Sequence, residues 1–150
     1  MIESKPLKVT IVSYLLGYGP VPKPGDEISQ RITINNKGRV WFSAKTCDEF
    51  FPLKEVPLRK VHTRIDVDSA NDILNRIGVY FQTSDVRCFA TDVGVWETTL
   101  TLENGEVIRE SGSMHCCSEL NEISDIIRSV LPNLGVQAFG EDYNEDDDQL

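Results

Sequence analysis

The chain has 150 residues, 40% of them hydrophobic and 26% charged, which suits one globular domain that buries roughly 68–70% of its unfolded surface. No apolar run approaches the ~20 residues that cross a bilayer, so a membrane-spanning helix is excluded. The net charge is −9, but Glu141, Asp142, Glu145, Asp146, Asp147 and Asp148 supply six of the negative charges, leaving 18 acids against 15 bases in residues 1–140. Without a run of Lys and Arg, direct nucleic-acid binding is not expected, and the charge favours a basic protein as partner. Four cysteines, with Cys116 beside Cys117 and no regular spacing, do not make a secreted disulfide framework and point to the cytoplasm.

Leu7 to Leu16 alternates β-branched and polar residues and predicts a strand, apolar on both faces towards its end and so expected to be covered on both sides. Thr10, Ser13 and Tyr14 interrupt the apolar run, and no small-residue cleavage site follows, so it does not read as a leader. Gly17 to Gly25 carries three alternating prolines and predicts a stiff exposed loop. Ile28 to Ile34 and Val40 to Ala44 alternate around Asn36-Lys37-Gly38, predicting a hairpin with Gly38 in the left-handed position. Phe50 to Leu58 is too proline-rich for a central strand and is expected to pack irregularly. Val61, Thr63, Ile65 and Val67 then alternate with Lys60, His62, Arg64 and Asp66 as another strand.

Ser69-x-x-Asp72 has capping-box spacing, and Ala70, Ile73, Leu74, Ile77 and Phe81 predict an amphipathic helix near 68–82. Val86 to Ala90 predicts a strand. Val95 to Glu103 and its return to about Ser111 predict a hairpin around Asn104-Gly105. Ser118 is placed to cap a second helix with the stripe Leu120, Ile123, Ile126, Ile127, Val130 and Leu131, ended by Pro132. Val136 to Phe139 is expected to add a short edge strand. Ile32 to Val40 aligns with Leu100 to Val107 after one deletion, and a helix follows each hairpin, which suggests an internal hairpin–helix duplication. The predicted fold is therefore α+β: a curved antiparallel sheet of about six to eight strands with two helices on one face. Residues 1–140 form one domain, followed by an acidic, disordered tail over 141–150.

Asp92, Gly94 and Trp96, the hairpin Leu100 to Val107, the helix Ile123 to Leu131 and the ending Phe139-Gly140-Glu141 resemble a group of uncharacterised bacterial proteins, chiefly from Firmicutes. The resemblance covers the C-terminal third. It implies no activity, and no functional residue is carried over.

No nucleotide, zinc-protease or hydrolase motif occurs, so the leading expectation is a non-enzymatic protein-binding domain without cofactor. Its sharpest version inhibits a basic nucleic-acid enzyme, as an immunity or anti-defence protein does. The candidate partner-binding residues are Tyr18 and Lys23 in the Pro-Gly loop, His62 and Arg64 on a polar strand face, and Glu141, Asp142, Asp146 and Asp147 in the tail. The alternative is a small thiol- or metal-dependent enzyme using His115, Cys116 and Cys117. Adjacent residues seldom share one tetrahedral ion, so these three are candidate ligands that would need Cys47, Cys88 or His62 to complete a site.

Overall fold

The computed structural model describes residues 4–15, 24–47, 55–83 and 94–140. In chain order these form β1 (Pro6–Tyr14), β2 (Ser29–Asn35), β3 (Arg39–Cys47), β4 (Glu55–Arg64), α1 (Val67–Thr83), β5 (Val95–Leu102), β6 (Val107–Ser113) and α2 (Ser118–Val130). The six strands make one open antiparallel sheet in the order β4-β3-β2-β1-β5-β6. Among the described residues no helix is long and apolar enough to cross a membrane. The predicted strand around Val86 to Ala90, the loop tip at Tyr18 and Lys23, the stretch Phe50 to Leu53 and the tail lie outside the described residues.

The two-residue period of the strands sorts their side chains onto two faces. Val9 and Ile11 of β1, Ile32 and Ile34 of β2, Val40 and Phe42 of β3, and Trp96 and Leu100 of β5 point to one side, where Ile73, Leu74 and Ile77 of α1 and Leu120, Ile123 and Ile127 of α2 complete a single core. Both helices thus cover the same face. The opposite face carries Lys8, Thr10, Val12 and Tyr14 on β1, and no described helix covers it; Tyr14 is exposed. The sequence leads one to expect β1 covered on both sides; among the described residues no second layer packs on Val12 and Tyr14.

Local signals placed most elements but missed several ends. Gly38 has φ +82°, and its carbonyl accepts the Ile65 N–H; a Cβ there would stand 2.3 Å from the Ile65 carbonyl oxygen, so the turn needs glycine twice over. Asp66, whose carboxylate accepts the Ser69 N–H at 3.2 Å, starts α1, ahead of the predicted Ser69 box. Cys117, not Ser118, occupies the N-cap of α2, and its side chain makes no capping hydrogen bond. Val56-Pro57-Leu58 belongs to β4, contrary to the irregular packing expected; β4 is an edge strand, where a missing proline N–H is tolerated, and its register shifts opposite Ala44 and Lys45. The two hairpins leave β1 in opposite directions, with Ile34 and Leu100 both paired to Val9, whereas the proposed repeat equates Ile32 with Leu100.

Val136 to Phe139 is no strand. It belongs to an irregular strap over 131–140 that closes the helix side, with Val136, Ala138 and Phe139 buried. Side chains from four elements satisfy its backbone. Arg59 donates to the Leu134 carbonyl, Gln30 to the Gly135 carbonyl, Ser13 to the Ala138 carbonyl, and Arg128 to the carbonyls of Val136 and Gly140. The Phe139 N–H donates to Ser124 Oγ at 3.0 Å. This satisfaction by side chains replaces the ladder that an edge strand would have made.

Candidate functional site

Residues directly opposite in an antiparallel ladder share a face, so the registers fix what the open side displays. One row runs Lys60, Ser43, Arg31, Val12, Glu97, Ser111 from β4 to β6, and the next runs His62, Trp41, Thr33, Thr10, Thr99, Arg109. Arg64 pairs with Arg39 beyond them. Seven bases therefore lie on this face: Lys8, Arg31, Arg39, Lys45, Lys60, Arg64 and Arg109. Five are on β2–β4, where the one carboxylate alongside is Glu55, 4.0 Å from Lys45. Among the described residues none of Lys8, Arg31, Arg39, Lys60, Arg64 and Arg109 has a carboxylate within salt-bridge distance. The arginines outside this face do: Arg59 pairs with Glu27, Arg76 with Asp72 and Arg128 with Asp125.

In the middle of the basic half, the Trp41 and His62 rings stack with centroids 5.1 Å apart and planes 6° from parallel. Trp41 is 38% exposed although indole is a large apolar group. A recess of about 200 Å³ adjoins the pair, lined by Arg31, Thr33, Trp41, Ser43, Lys60 and His62. That is smaller than the ~300–1,000 Å³ of a site for a drug-sized ligand and suits one flat group. A second, shallower recess of about 290 Å³ continues along the face past Lys8, Thr10, Arg31, Glu97 and Thr99. The Thr10 and Thr33 hydroxyls bond each other across β1 and β2 at 2.9 Å. At the far end partial burial, and then the Glu97 carboxylate that its hydroxyl meets, hold the Tyr14 phenol above its ordinary pKa, so it stays a neutral donor well past pH 7.

Among the described residues the helical side carries a cluster of acids. Asp66, Asp68, Asp72, Glu119, Glu122 and Asp125 belong to the two helices and the start of α1, with Arg76 and Arg128 the bases among them. Between α1 and α2 a groove of about 380 Å³ is lined by Arg76, Val79, Tyr80, Glu119, Glu122 and Ile123. Among the described residues, then, the β2–β4 half of the sheet face is mainly basic and the helical face mainly acidic.

Of the residues singled out from sequence, His62 and Arg64 fall together on the basic face. Tyr18, Lys23, Glu141, Asp142, Asp146 and Asp147 lie outside the described residues. Trp41, Arg31 and Lys60 were missed as site residues. Their signal was the polar side of three alternating strands, and only the register shows that Trp41 faces His62.

His115, Cys116 and Cys117 form the turn into α2 but do not converge. His115 is exposed, with φ +69°; its N–H donates to the Phe139 carbonyl and its imidazole lies beside Gly140. Cys116 Sγ meets the Ser113 carbonyl at 3.4 Å, while Cys117 Sγ meets the Tyr80 hydroxyl at 3.3 Å across α1. Among the described residues no three His, Cys, Asp or Glu side chains are grouped to hold a metal ion, and no disulfide joins Cys47, Cys116 and Cys117 to one another.

Comparison with known proteins gives no assignment: no protein-family model matches the chain, and no curated protein does.

Proposed function

We propose a cytoplasmic, non-enzymatic binding domain that takes an anionic partner on the β2–β4 half of its open sheet face. The observation that carries this reading is the gathering of Arg31, Arg39, Lys60 and Arg64 around an exposed Trp41–His62 stack, with no carboxylate in reach of those four cations among the described residues. Side chains spread along separate strands cost a folded protein mutual repulsion when grouped in this way, and an anionic partner offsets that cost. Fixed cations, ring faces and hydroxyls are groups suited to recognition.

The test is retention on a heparin column at low salt and pH 7. Despite a net charge of −9, the protein is expected to bind and to elute as salt rises, because the cations of the face attract a sulfated chain at contact distance and added salt screens that attraction. Passage straight through the column at 20 mM salt would overturn the reading.

A second reading is favoured by the groove between α1 and α2, whose rim carries Glu119 and Glu122 around Val79 and Ile123. A basic protein, including the nucleic-acid enzyme expected from composition, would dock there and not on the sheet. The charge of each face assigns each reading its own surface.

A further inference from the structure

We propose that the anionic partner of the open sheet face is single-stranded nucleic acid, with one base seated against Trp41 in the recess between Arg31 and Lys60. The inference rests on the anion-binding reading above and adds the partner's chemistry. Three features of the face select it. The recess is bounded by a ring face and is of the size for one flat group, and a nucleobase offers a π-face to stack whatever its sequence. Cations stand on both sides of that seat: Lys60 and Arg31 lie in the row on one side of the Trp41 row, and Arg39 and Arg64 in the row on the other. Two residues along a strand span about 6.6 Å, so a backbone crossing the face meets a positive charge before and after the seated base. Thr33 and Ser43 line the same recess with hydroxyls able to donate to or accept from a base edge.

An acidic peptide would satisfy the cations but has no planar group for the indole. A duplex keeps its bases stacked inside, and among the described residues this face presents no helix to enter a groove. The overall negative charge sets no bar, since binding of this kind is governed by the phosphates that Lys and Arg neutralise locally.

The experiment is fluorescence anisotropy with labelled oligo(dT) and oligo(U) of about 12 nucleotides, against the corresponding duplex and a polyglutamate chain of similar charge. Single strands are expected to bind more tightly than duplex or polyglutamate, with log affinity falling against log salt at a slope of about −2 if three phosphates are neutralised. Trp41→Ala should weaken single-strand binding by about 5- to 150-fold, the range measured for loss of one base–aromatic stack. Trp41→Phe keeps a ring and should keep most of the affinity. Trp41 is half exposed, so circular dichroism and the melting temperature of both variants should match the parent. Single-strand binding that is indifferent to Trp41, or polyglutamate and duplex binding as tight as single strands, would overturn the inference and leave the anion-binding reading standing. Binding to neither heparin nor any oligonucleotide would remove both.

Discussion

Replacing Phe139 by alanine is expected to destabilise the domain by about 3–5 kcal/mol, the largest effect of any single truncation considered for this chain. Phe139 is 1% exposed and lies edge-on to Trp96, with ring centroids 5.0 Å apart and planes at 89°, and 6.3 Å from Phe81. Loss of the ring removes these contacts and leaves a cavity among α1, β5 and the strap. It also weakens the anchor of the strap itself, where the Phe139 N–H and carbonyl bond Ser124 and His115. A domain of this size has ~5–15 kcal/mol in total, so the variant should sit near the edge of folding. Urea unfolding gives the check: the midpoint should fall sharply with little change of slope, and Phe139→Leu should recover more than half of the loss. A shift below about 1 kcal/mol would show that the strap is not part of the core.

The second large effect concerns the open face. Arg31→Glu combined with Lys60→Glu is expected to lower affinity for a polyanion by about 100-fold or more, since a hydrogen bond to a charged group contributes ~1.5–3 kcal/mol and the reversals add repulsion. Folding should be nearly unaffected, because both side chains are exposed and surface substitutions away from special features change stability by about ±0.5 kcal/mol. Deletion of residues 141–150 provides the opposite sign. It takes the net charge from −9 to −3, so affinity for a polyanion should rise at low salt and converge with that of the full chain as salt is added. If the tail instead contacts a basic partner, as composition suggested, the deletion would weaken capture of that partner.

The elements were legible wherever a strong local period met a strong local stop. The apolar stripes of both helices, the alternation of β1 to β3 and the turns at Gly38 and Asn104-Gly105 point to the α+β sheet with its helices on one side. The misreadings have a common cause. Pro57 argues against a central strand, but strand order alone shows that β4 is an edge. Val136 to Phe139 has strand composition, but its backbone groups are met by side chains of Arg128, Gln30, Ser13 and Ser124. A linear scan for basic runs finds none, because every second residue on a strand turns to the other face and the cations are dispersed over several strands. Arg31, Arg39, Lys60 and Arg64 become neighbours only through the pairing of β2, β3 and β4. The absence of a basic run thus carries no information about the charge of the folded surface.

The central claim, that recognition belongs to the basic half of the open sheet face, is tested most directly by following amide and indole N–H resonances of the ¹⁵N-labelled protein during titration with an anionic oligomer. The account predicts saturable shifts at Arg31, Thr33, Ser43, Lys60 and His62 and at the Trp41 indole N–H, with the buried Trp96 indole and the α1–α2 groove left unmoved. Shifts confined to Val79, Tyr80, Glu119, Glu122 and Ile123, or spread evenly over the surface, would contradict it.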